Sequence, residues 1–412
     1  MASIRADLIA LLGARGIGIL IPLLATPYLA RVLNPEGFGL FSLGLAIYAA
    51  ITTVVKFGFE MSSLREGAIA RVNPQDFRSV LCDTWTAQLA LWVIVAVLLL
   101  GSWPWLVGDG LTGGDVLVTA TLGALFSALY PQWALQALGD YRASSFISIG
   151  SRLIMLILTF VVVRGPEDYA LALLLQVGWV LPAAFAAFAV MRRRLQGKVF
   201  TKVTARSVLS RSRSSFPFFL SVLFGSVYTT MNVIFLGWFG ASAAGIGNFA
   251  ASQQIITAAR IPADPMKQVY YPRMAAAKDT SEQTFSHLKR TYGVGLCGLY
   301  ALIGIVLFFT ADYVVRIYLG PGYEDAILMV KYCAISLVPW AIAMWAESTL
   351  QASGLVRKSL FGPMIGAMAH LLLVWPCIVY WDALGVAIAL VGTQTVITVV
   401  LLIQIWRQRT RS

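Results

Sequence analysis

The sequence predicts an all-α, polytopic membrane protein in which about twelve transmembrane helices form two six-helix lobes around a central cavity. Three observations predict this fold class. The residues A, V, I, L, M, F, W, Y and C make up 58% of the 412 positions, and charged residues only 12%, about half the charged share usual in soluble proteins. Apolar stretches of about 20 residues, long enough to cross a bilayer, recur along the whole chain. The basic residues between these stretches fall almost entirely on one side of the predicted membrane.

This composition excludes a soluble enzyme, a disordered protein and a secreted disulfide scaffold. A single soluble core stops growing at about 250–300 residues, so lipid must solvate most of the apolar surface. A net charge of +12 would suggest a nucleic-acid partner in a soluble protein. Here membrane topology accounts for it, and no nucleic-acid partner is expected.

Hydropathy places the predicted helices in order along the chain. The first six spans are Leu8–Ala30, Phe38–Phe59, Val80–Leu100, Val116–Leu138, Ala143–Val163 and Ala170–Val190. After a polar gap the last six are Phe216–Phe239, Ile246–Tyr271, Thr291–Thr310, Ala326–Leu350, Ser359–Tyr380 and Leu384–Trp406. The second, eighth and tenth are the least purely apolar.

Basic residues outside the spans fix the predicted orientation. If both termini are cytoplasmic, cytoplasmic segments carry 22 Lys and Arg, and the opposite loops carry three, Arg31, Arg164 and Arg316. A misplaced span would have mixed the two groups, so this asymmetry predicts cytoplasmic termini.

A long basic loop after the sixth span divides the chain into two halves. We predict an N-terminal lobe over residues 1–190, a cytoplasmic linker over 191–215 and a C-terminal lobe over 216–412. Two faint repeats support duplication. Gly37, Gly39, Phe41 and Arg65 recur 208 residues later as Gly245, Gly247, Phe249 and Arg273, and Gln136–Gly139 resembles Gln351–Gly354. Six spans restore the orientation, so the halves would be parallel repeats with a site at their interface.

Six basic residues lie inside the predicted spans: Arg15, Lys56, Arg152, Arg260, Lys267 and Lys331. A charge at the bilayer centre costs at least about 2.5–3.5 kcal/mol, and such residues usually face a bundle interior or a watery cavity. Only Glu60, Asp264, Glu347 and the peripheral Asp83 oppose them. A cavity of net positive charge selects an anion, and arginine suits one that accepts paired hydrogen bonds, such as phosphate or pyrophosphate.

Each of these residues also has a structural explanation. Lys56 and Glu60, and Arg260 and Asp264, are spaced i,i+4, while Asp264 and Lys267 are spaced i,i+3, so they could form neutral pairs on helix faces. Arg15 and Lys331 could extend to the membrane interface. Arg152 has no acidic residue within four positions.

No metal or cofactor is predicted. Cys82, Cys297, Cys333 and Cys377 are far apart within spans, and His287 and His370 have no metal-ligand spacing. The cysteines are better explained as small buried hydrophobic residues.

Several segments together resemble the Wzx-type polysaccharide flippases of the multidrug/oligosaccharidyl-lipid/polysaccharide exporter superfamily. They are an arginine in the first span followed by ARVLNPEGFGLFSLGLAI (Ala30–Ile47), FGFEMSSLREGA (Phe57–Ala68), YPQWALQALGDYR (Tyr130–Arg142) and YYPRMA (Tyr270–Ala275). They occur in the family's order and cover most of the chain.

The resemblance implies a non-enzymatic flippase of the bacterial cytoplasmic (inner) membrane that serves O-antigen, exopolysaccharide or capsule synthesis. Its cargo would be a polyprenyl-pyrophosphate-linked glycan, and Arg15 and Arg260 would contact the pyrophosphate. Arg152, Lys56 and Lys267 complete the expected cationic site, and Glu60, Asp264 and Glu347 are the candidate ion-coupling acids. The other expected partners are membrane lipid and further polysaccharide-assembly proteins. The protein itself is expected to be a monomer.

Two other functions stay open at this point. A cation-coupled multidrug exporter would share the fold, but the positive interior and the arginine in the first span argue against it. A membrane-embedded polysaccharide enzyme would need a large outer loop or an intramembrane His/Asp/Glu group, which the sequence lacks.

Overall fold

The computed structural model describes the backbone of residues 2–101 and 114–409, and side chains from residue 18 onward except those of 19, 20, 100, 221, 279, 408 and 409. Within these residues every regular element is helical, which confirms the all-α prediction. The helices of the first half are α1 (Ala2–Lys56), α2 (Phe59–Ala70), α3 (Pro74–Gly101), α4 (Gly114–Leu129), α5 (Gln132–Ala137), α6 (Tyr141–Val162), α7 (Tyr169–Gly178) and α8 (Val180–Arg194). The helices of the second half are α9 (Ala205–Val227), α10 (Asn232–Trp238), α11 (Ala243–Arg260), α12 (Ala263–Thr280), α13 (Glu282–Tyr318), α14 (Glu324–Ala352), α15 (Val356–Ser359) and α16 (Phe361–Arg409).

Eight stretches within the described residues are long and apolar enough to cross a membrane. Two of them, Ile21–Ala70 and Val356–Arg407, contain 50 and 52 residues, more than twice the length that one crossing needs. Each holds a backbone break. Asn34 (φ 56°) interrupts α1 and Asp382 (φ 50°) interrupts α16. The breaks coincide with the gaps predicted between the first and second spans and between the eleventh and twelfth.

The break at Asp382 reverses the chain into a helical hairpin. A Cβ added at Gly366 would lie 2.3 Å from Ile397, although in one continuous helix these residues would be roughly 46 Å apart. A Cβ at Gly385 would lie 2.0 Å from the carbonyl oxygen of Cys377. Glycine therefore allows the two arms to approach closely beside the turn.

The predicted eighth span is a broken helix. Its residues form α11 and α12, which meet at Ile261 and Pro262. Neither piece is among the eight apolar stretches in the described part of the chain, so the count of twelve spans stays a prediction.

The chain divides into two compact units, Met1–Leu223 and Phe224–Ser412. In the first unit, α1 packs against α4, α6 and α7, and a buried cluster around Phe77, Trp133 and Met191 joins α3, α5 and α8. In the second unit, α14 packs against α11, α13 and α16.

Much of the basic segment predicted as a linker is an ordered part of the first unit. Helix α8 continues to Arg194 and α9 begins at Ala205. Arg211 of α9 forms ion pairs with Glu66 of α2 and with Asp83 of α3, the latter at 3.3 Å. Asp83 is 1% exposed and also accepts a hydrogen bond from Ser207 at 2.9 Å. These contacts anchor α9 to α2 and α3; the predicted lobe boundaries themselves stay predictions.

Candidate functional site

Arg152, in the middle of α6, is held by an aromatic face and has no acidic partner among the described side chains. Its Cζ lies 4.1 Å from the centre of the Trp179 ring, and Tyr130 meets the same indole edge-on at 5.9 Å between ring centres. One Nη donates a long hydrogen bond, 3.5 Å, to the carbonyl oxygen of Gly18 on α1. Its Nε is buried and has no hydrogen-bond partner within the described structure.

Arg260, the last residue of α11, has the same arrangement in the second unit. Its Cζ lies 4.7 Å from the centre of the Trp340 ring, and Tyr300 contacts that ring edge-on at 5.1 Å. The Tyr300 hydroxyl donates to the Arg260 carbonyl oxygen at 2.9 Å. The Nε of Arg260 is again buried without a partner.

We call these the Arg152 cluster (Arg152, Trp179, Tyr130) and the Arg260 cluster (Arg260, Trp340, Tyr300). In the described part of the chain neither arginine forms an ion pair within 4.0 Å. A ring face attracts a guanidinium electrostatically but cannot neutralise its charge. It also leaves the N–H groups in the guanidinium plane available. A half-buried cation with an unused donor is stabilised by an anion that brings acceptor oxygens. Each cluster can therefore bind an oxyanion.

The two clusters are not copies produced by the predicted repeat. The first draws on the fourth, fifth and sixth predicted spans, whereas the second draws on the eighth, ninth and tenth. A duplication by six spans would relate the fourth to the tenth. The shared geometry thus arises from different helices in each unit.

Lys56 forms the predicted pair with Glu60, at 2.5 Å between Nζ and Oε1. The pair bridges the break between α1 and α2, where Phe57 and Gly58 have positive φ. Lys56 also interacts electrostatically with Arg152 and Tyr48. It therefore lies near the Arg152 cluster, but Glu60 offsets its charge.

The other predicted pairs are absent from the ion pairs of the described residues. A turn at Ile261 and Pro262 lies between Arg260 and Asp264, and no ion pair between them is among those of the described residues. Asp264 is exposed and Lys267 is half-buried on α12. Glu347 of α14 accepts a hydrogen bond from Gln351 at 2.8 Å.

Tyr228, which sequence reasoning did not identify, lies near both Glu347 and Arg260. The two tryptophans were also missed. Trp179 and Trp340 lie near the middle of predicted spans, whereas transmembrane tryptophans concentrate at interfaces. A mid-span tryptophan was the signal that could have identified them.

The side chain of Arg15 lies outside the described residues. Its backbone is part of α1, three residues before Gly18, whose carbonyl contacts Arg152. Among the described residues, no group of three His, Cys, Asp or Glu side chains is arranged to hold a metal ion.

Comparison with known proteins identifies the family. A family model described as "Polysaccharide biosynthesis protein" matches residues 4–278, well over half of the chain. The chain belongs to this polysaccharide biosynthesis family. The resemblance to Wzx-type flippases is thereby confirmed.

Relatives of this family member match nearly the whole chain. A "Putative O-antigen transporter" of Escherichia coli (strain K12) is 27% identical over 404 residues, which covers 97% of this chain and 96% of the relative. A protein of the same name from Shigella dysenteriae is 25% identical over 411 residues, covering 97% and 99%.

Solved structures share the fold of this family member. The lipid II flippase MurJ, in an inward closed conformation, matches with a TM-score of 0.75 and 13% identity over 97% of this chain and 87% of that chain. An inward-facing multidrug resistance MATE family transporter of the MOP superfamily matches with a TM-score of 0.73 and 15% identity, covering 95% and 98%. The relatives and neighbours are named as transporters or flippases, in agreement with a multi-pass membrane transporter that is not an enzyme.

Proposed function

We propose that this protein moves a polyprenyl-pyrophosphate-linked oligosaccharide across the bacterial cytoplasmic membrane by alternating access, for the assembly of a surface polysaccharide. The observation that carries the proposal is the pair of arginine clusters. Arg152 and Arg260 each present a guanidinium that lies on a tryptophan face and that, among the described residues, has no carboxylate partner and keeps a buried, unused Nε donor.

A pyrophosphate has the chemistry that such groups recognise. It carries multiple negative charges and acceptor oxygens, and a planar guanidinium can donate two parallel hydrogen bonds to it. Arg15 is the expected third contact. Lys56 adds positive charge near Arg152, although Glu60 offsets this charge. Lys267 adds positive charge close to Arg260 in the sequence.

The relatives narrow the cargo to a glycan. The two curated relatives are named O-antigen transporters, and an O-antigen is a polysaccharide. A polar head group of this kind would cross through the protein while its polyprenyl tail stays in lipid. Of the candidate coupling acids, Glu60 is neutralised by Lys56, which leaves Asp264 and Glu347. Both termini are expected in the cytoplasm and the protein as a monomer.

The proposal is tested with the purified protein in lipid vesicles. One set of vesicles holds a fluorescent polyprenyl-pyrophosphate-linked oligosaccharide, and a second set is given an organic cation of the kind that multidrug exporters carry. A membrane-impermeant reagent that destroys exposed fluorophore reports how fast the glycan lipid changes leaflets.

We expect rapid exchange of the glycan lipid and no transport of the organic cation. Vesicles that carry the protein but exchange the glycan lipid no faster than protein-free vesicles would contradict the proposal. Transport of the cation alone would favour the drug-exporter alternative.

A further inference from the structure

A buried polar triad lies in the second unit, apart from both arginine clusters. His370, on the first arm of α16, contacts Thr393 on the second arm at 2.8 Å through Nδ1, and Asn232 of α10 at 2.7 Å through Nε2. His370 and Thr393 are 0% exposed and Asn232 is 1% exposed. His370 lies roughly 14 Å along its arm, so an ionisable ring lies deep among apolar helices.

The hydrogen-bond partners of Asn232 fix the proton on one ring nitrogen. The Asn232 Nδ2 donates to the carbonyl oxygens of Tyr228 and Thr229, at 3.1 and 3.3 Å. Its Oδ1 therefore faces His370, and an amide oxygen can only accept. The Nε2 of His370 must carry a hydrogen in either protonation state.

The other ring nitrogen has two compatible arrangements. In the first, Thr393 donates its hydroxyl hydrogen to Nδ1 and the ring is neutral. In the second, Thr393 donates to the carbonyl oxygen of Ala389, 2.8 Å away, and accepts a hydrogen from a protonated Nδ1. Uptake of one proton at Nδ1, together with rotation of the Thr393 hydroxyl hydrogen, converts the first arrangement into the second, and each leaves every polar atom of the ring paired. The triad can thus hold a proton without moving a heavy atom.

The side chains that contact the ring in the described structure are neutral. Asn232 and Phe235 of α10 face it, the latter at 6.3 Å between ring centres, and Thr393 faces it from α16. No charged side chain of the described residues forms a hydrogen bond or ion pair with His370; its ring hydrogen bonds go to Thr393 and Asn232. A proton on His370 would therefore be held by hydrogen bonds alone.

We propose that His370 is a reversible proton-binding site, and that its protonation couples a proton gradient to transport. The coupling part rests on the function proposed above. Neighbouring groups lead from the triad towards Arg260: His370 bonds Asn232, Asn232 bonds the Tyr228 carbonyl, and the Tyr228 side chain lies near Arg260. The Tyr228 and Thr229 carbonyls that Asn232 contacts lie in the break between α9 and α10. In this break the Ser226 carbonyl oxygen accepts hydrogen bonds from three backbone N–H groups. Protonation of the His370 ring strengthens its hydrogen bond to Asn232. Asn232 then stabilises the conformation of this break more strongly.

The binding of the proton can be tested without any transport assay. The chain has two histidines, and His287 is exposed, so the His287→Gln variant leaves His370 as the only imidazole. Nitrogen NMR of this variant, labelled at histidine and placed in lipid nanodiscs, follows both ring nitrogens from about pH 8 to pH 4. We expect Nδ1 to become protonated reversibly while the protein stays folded. A ring that stays neutral with one fixed tautomer throughout would overturn the proposal.

The coupling is tested by vesicle transport under an imposed proton gradient. A gradient of one pH unit changes the equilibrium of a one-proton step by about tenfold. Wild type and His287→Gln should respond to it alike. His370→Gln retains a donor for Asn232 and an acceptor for Thr393 but cannot be protonated, so it should transport at one rate with or without the gradient.

The outcomes separate the two proposals. An unchanged gradient response in folded His370→Gln would overturn the coupling role, as would a wild-type protein that exchanges the glycan lipid indifferently to the gradient. If the wild-type protein exchanges the glycan lipid but does not respond to the gradient, the proposed function stands. If wild type exchanges no glycan lipid, the proposed function fails, and the NMR titration alone decides whether His370 binds a proton.

Discussion

The guanidinium of Arg260 lies 4.7 Å from the centre of the Trp340 ring, and no carboxylate within ion-pairing distance neutralises it in the described part of the chain. Arg152 and Trp179 repeat this relationship at 4.1 Å in the other unit. An arginine on an aromatic face is held in position while its in-plane donors stay available. The pairing thus orients positive charge inside an apolar fold without cancelling it.

Charge and donor geometry at Arg260 can be separated by substitution. Arg260→Lys keeps the positive charge but loses the planar donor fork, whereas Arg260→Gln loses the charge. Because a hydrogen bond to a charged group is worth about 1.5–3 kcal/mol, we expect Arg260→Lys to lower the rate of glycan-lipid exchange by roughly 10- to 150-fold. Arg260→Gln should lower it further.

The control for Arg260 is Arg290→Gln, which removes an exposed arginine of α13. Exchange should stay at the wild-type rate in this variant. An Arg260→Gln protein that is normally folded and as active as Arg290→Gln would contradict the role of Arg260.

Substitutions of Trp179 should weaken substrate binding to different degrees, depending on whether a ring face remains for Arg152. Trp179→Phe retains a ring face for Arg152, and Trp179→Leu removes it. A cation–π contact contributes about 0.5–2 kcal/mol, so the leucine variant should bind substrate roughly 2- to 30-fold more weakly, with the phenylalanine variant between it and wild type. Trp238, which is 66% exposed, provides the control Trp238→Leu. Equal affinity for Phe and Leu variants would show that the ring face contributes nothing.

Asp83 is predicted to stabilise the first unit. Asp83→Asn leaves Arg211 with Glu66 as its only carboxylate in the described structure and removes the charge that Ser207 bonds. Losing a hydrogen bond to a charged group costs about 1.5–3 kcal/mol, so the thermal unfolding midpoint in detergent should fall by a few degrees. The exposed pair Lys278–Glu282 gives the control Glu282→Gln, which should barely change it. Equal midpoints for both variants would argue against the anchoring of α9.

The hairpin of α16 depends on Gly385. A methyl group there would lie 2.0 Å from a backbone oxygen, that of Cys377, which cannot rotate away. We expect Gly385→Ala to lower both the unfolding midpoint and the yield of membrane-inserted protein. Gly298 of α13 has open space at its Cβ position, so Gly298→Ala should resemble wild type. A stable, well-inserted Gly385→Ala protein would contradict the observed close approach of the arms.

The positive-inside orientation is tested by cysteine labelling in a variant that lacks the four native cysteines. The exposed residues Lys198 and Glu324 are replaced by cysteine one at a time. A membrane-impermeant maleimide added to intact spheroplasts should label position 324 and spare position 198. The opposite pattern would reverse the predicted topology.

Hydropathy predicted the fold well because its signal is local. The gap between Ala30 and Phe38 contains the break at Asn34, and the gap between Tyr380 and Leu384 contains the break at Asp382. The interruption of the eighth span is indicated by Pro262 and Pro265 rather than by hydropathy, since proline lacks a backbone N–H, and the structure has the break at Ile261 and Pro262.

The sites were less predictable because their contacts are distant along the chain. The i,i+4 rule found Lys56 and Glu60, but it also suggested Arg260 and Asp264, which a helix break separates. Arg260 instead meets Trp340, 80 positions away. Likewise His370 lacked any local ligand pattern, because its partners Thr393 and Asn232 lie 23 and 138 positions away.

The central claim is that Arg152 and Arg260 recognise the pyrophosphate of a lipid-linked glycan. It is tested most directly by the rates at which purified protein exchanges two lipids that differ only in carrying a pyrophosphate or a monophosphate link. We expect wild type to exchange the pyrophosphate lipid faster by about tenfold or more, as one lost charge-assisted bond implies. Folded Arg152→Gln/Arg260→Gln protein should lose this preference and most of its rate. Equal wild-type rates for the two lipids, or a double variant that keeps the wild-type preference, would contradict the claim.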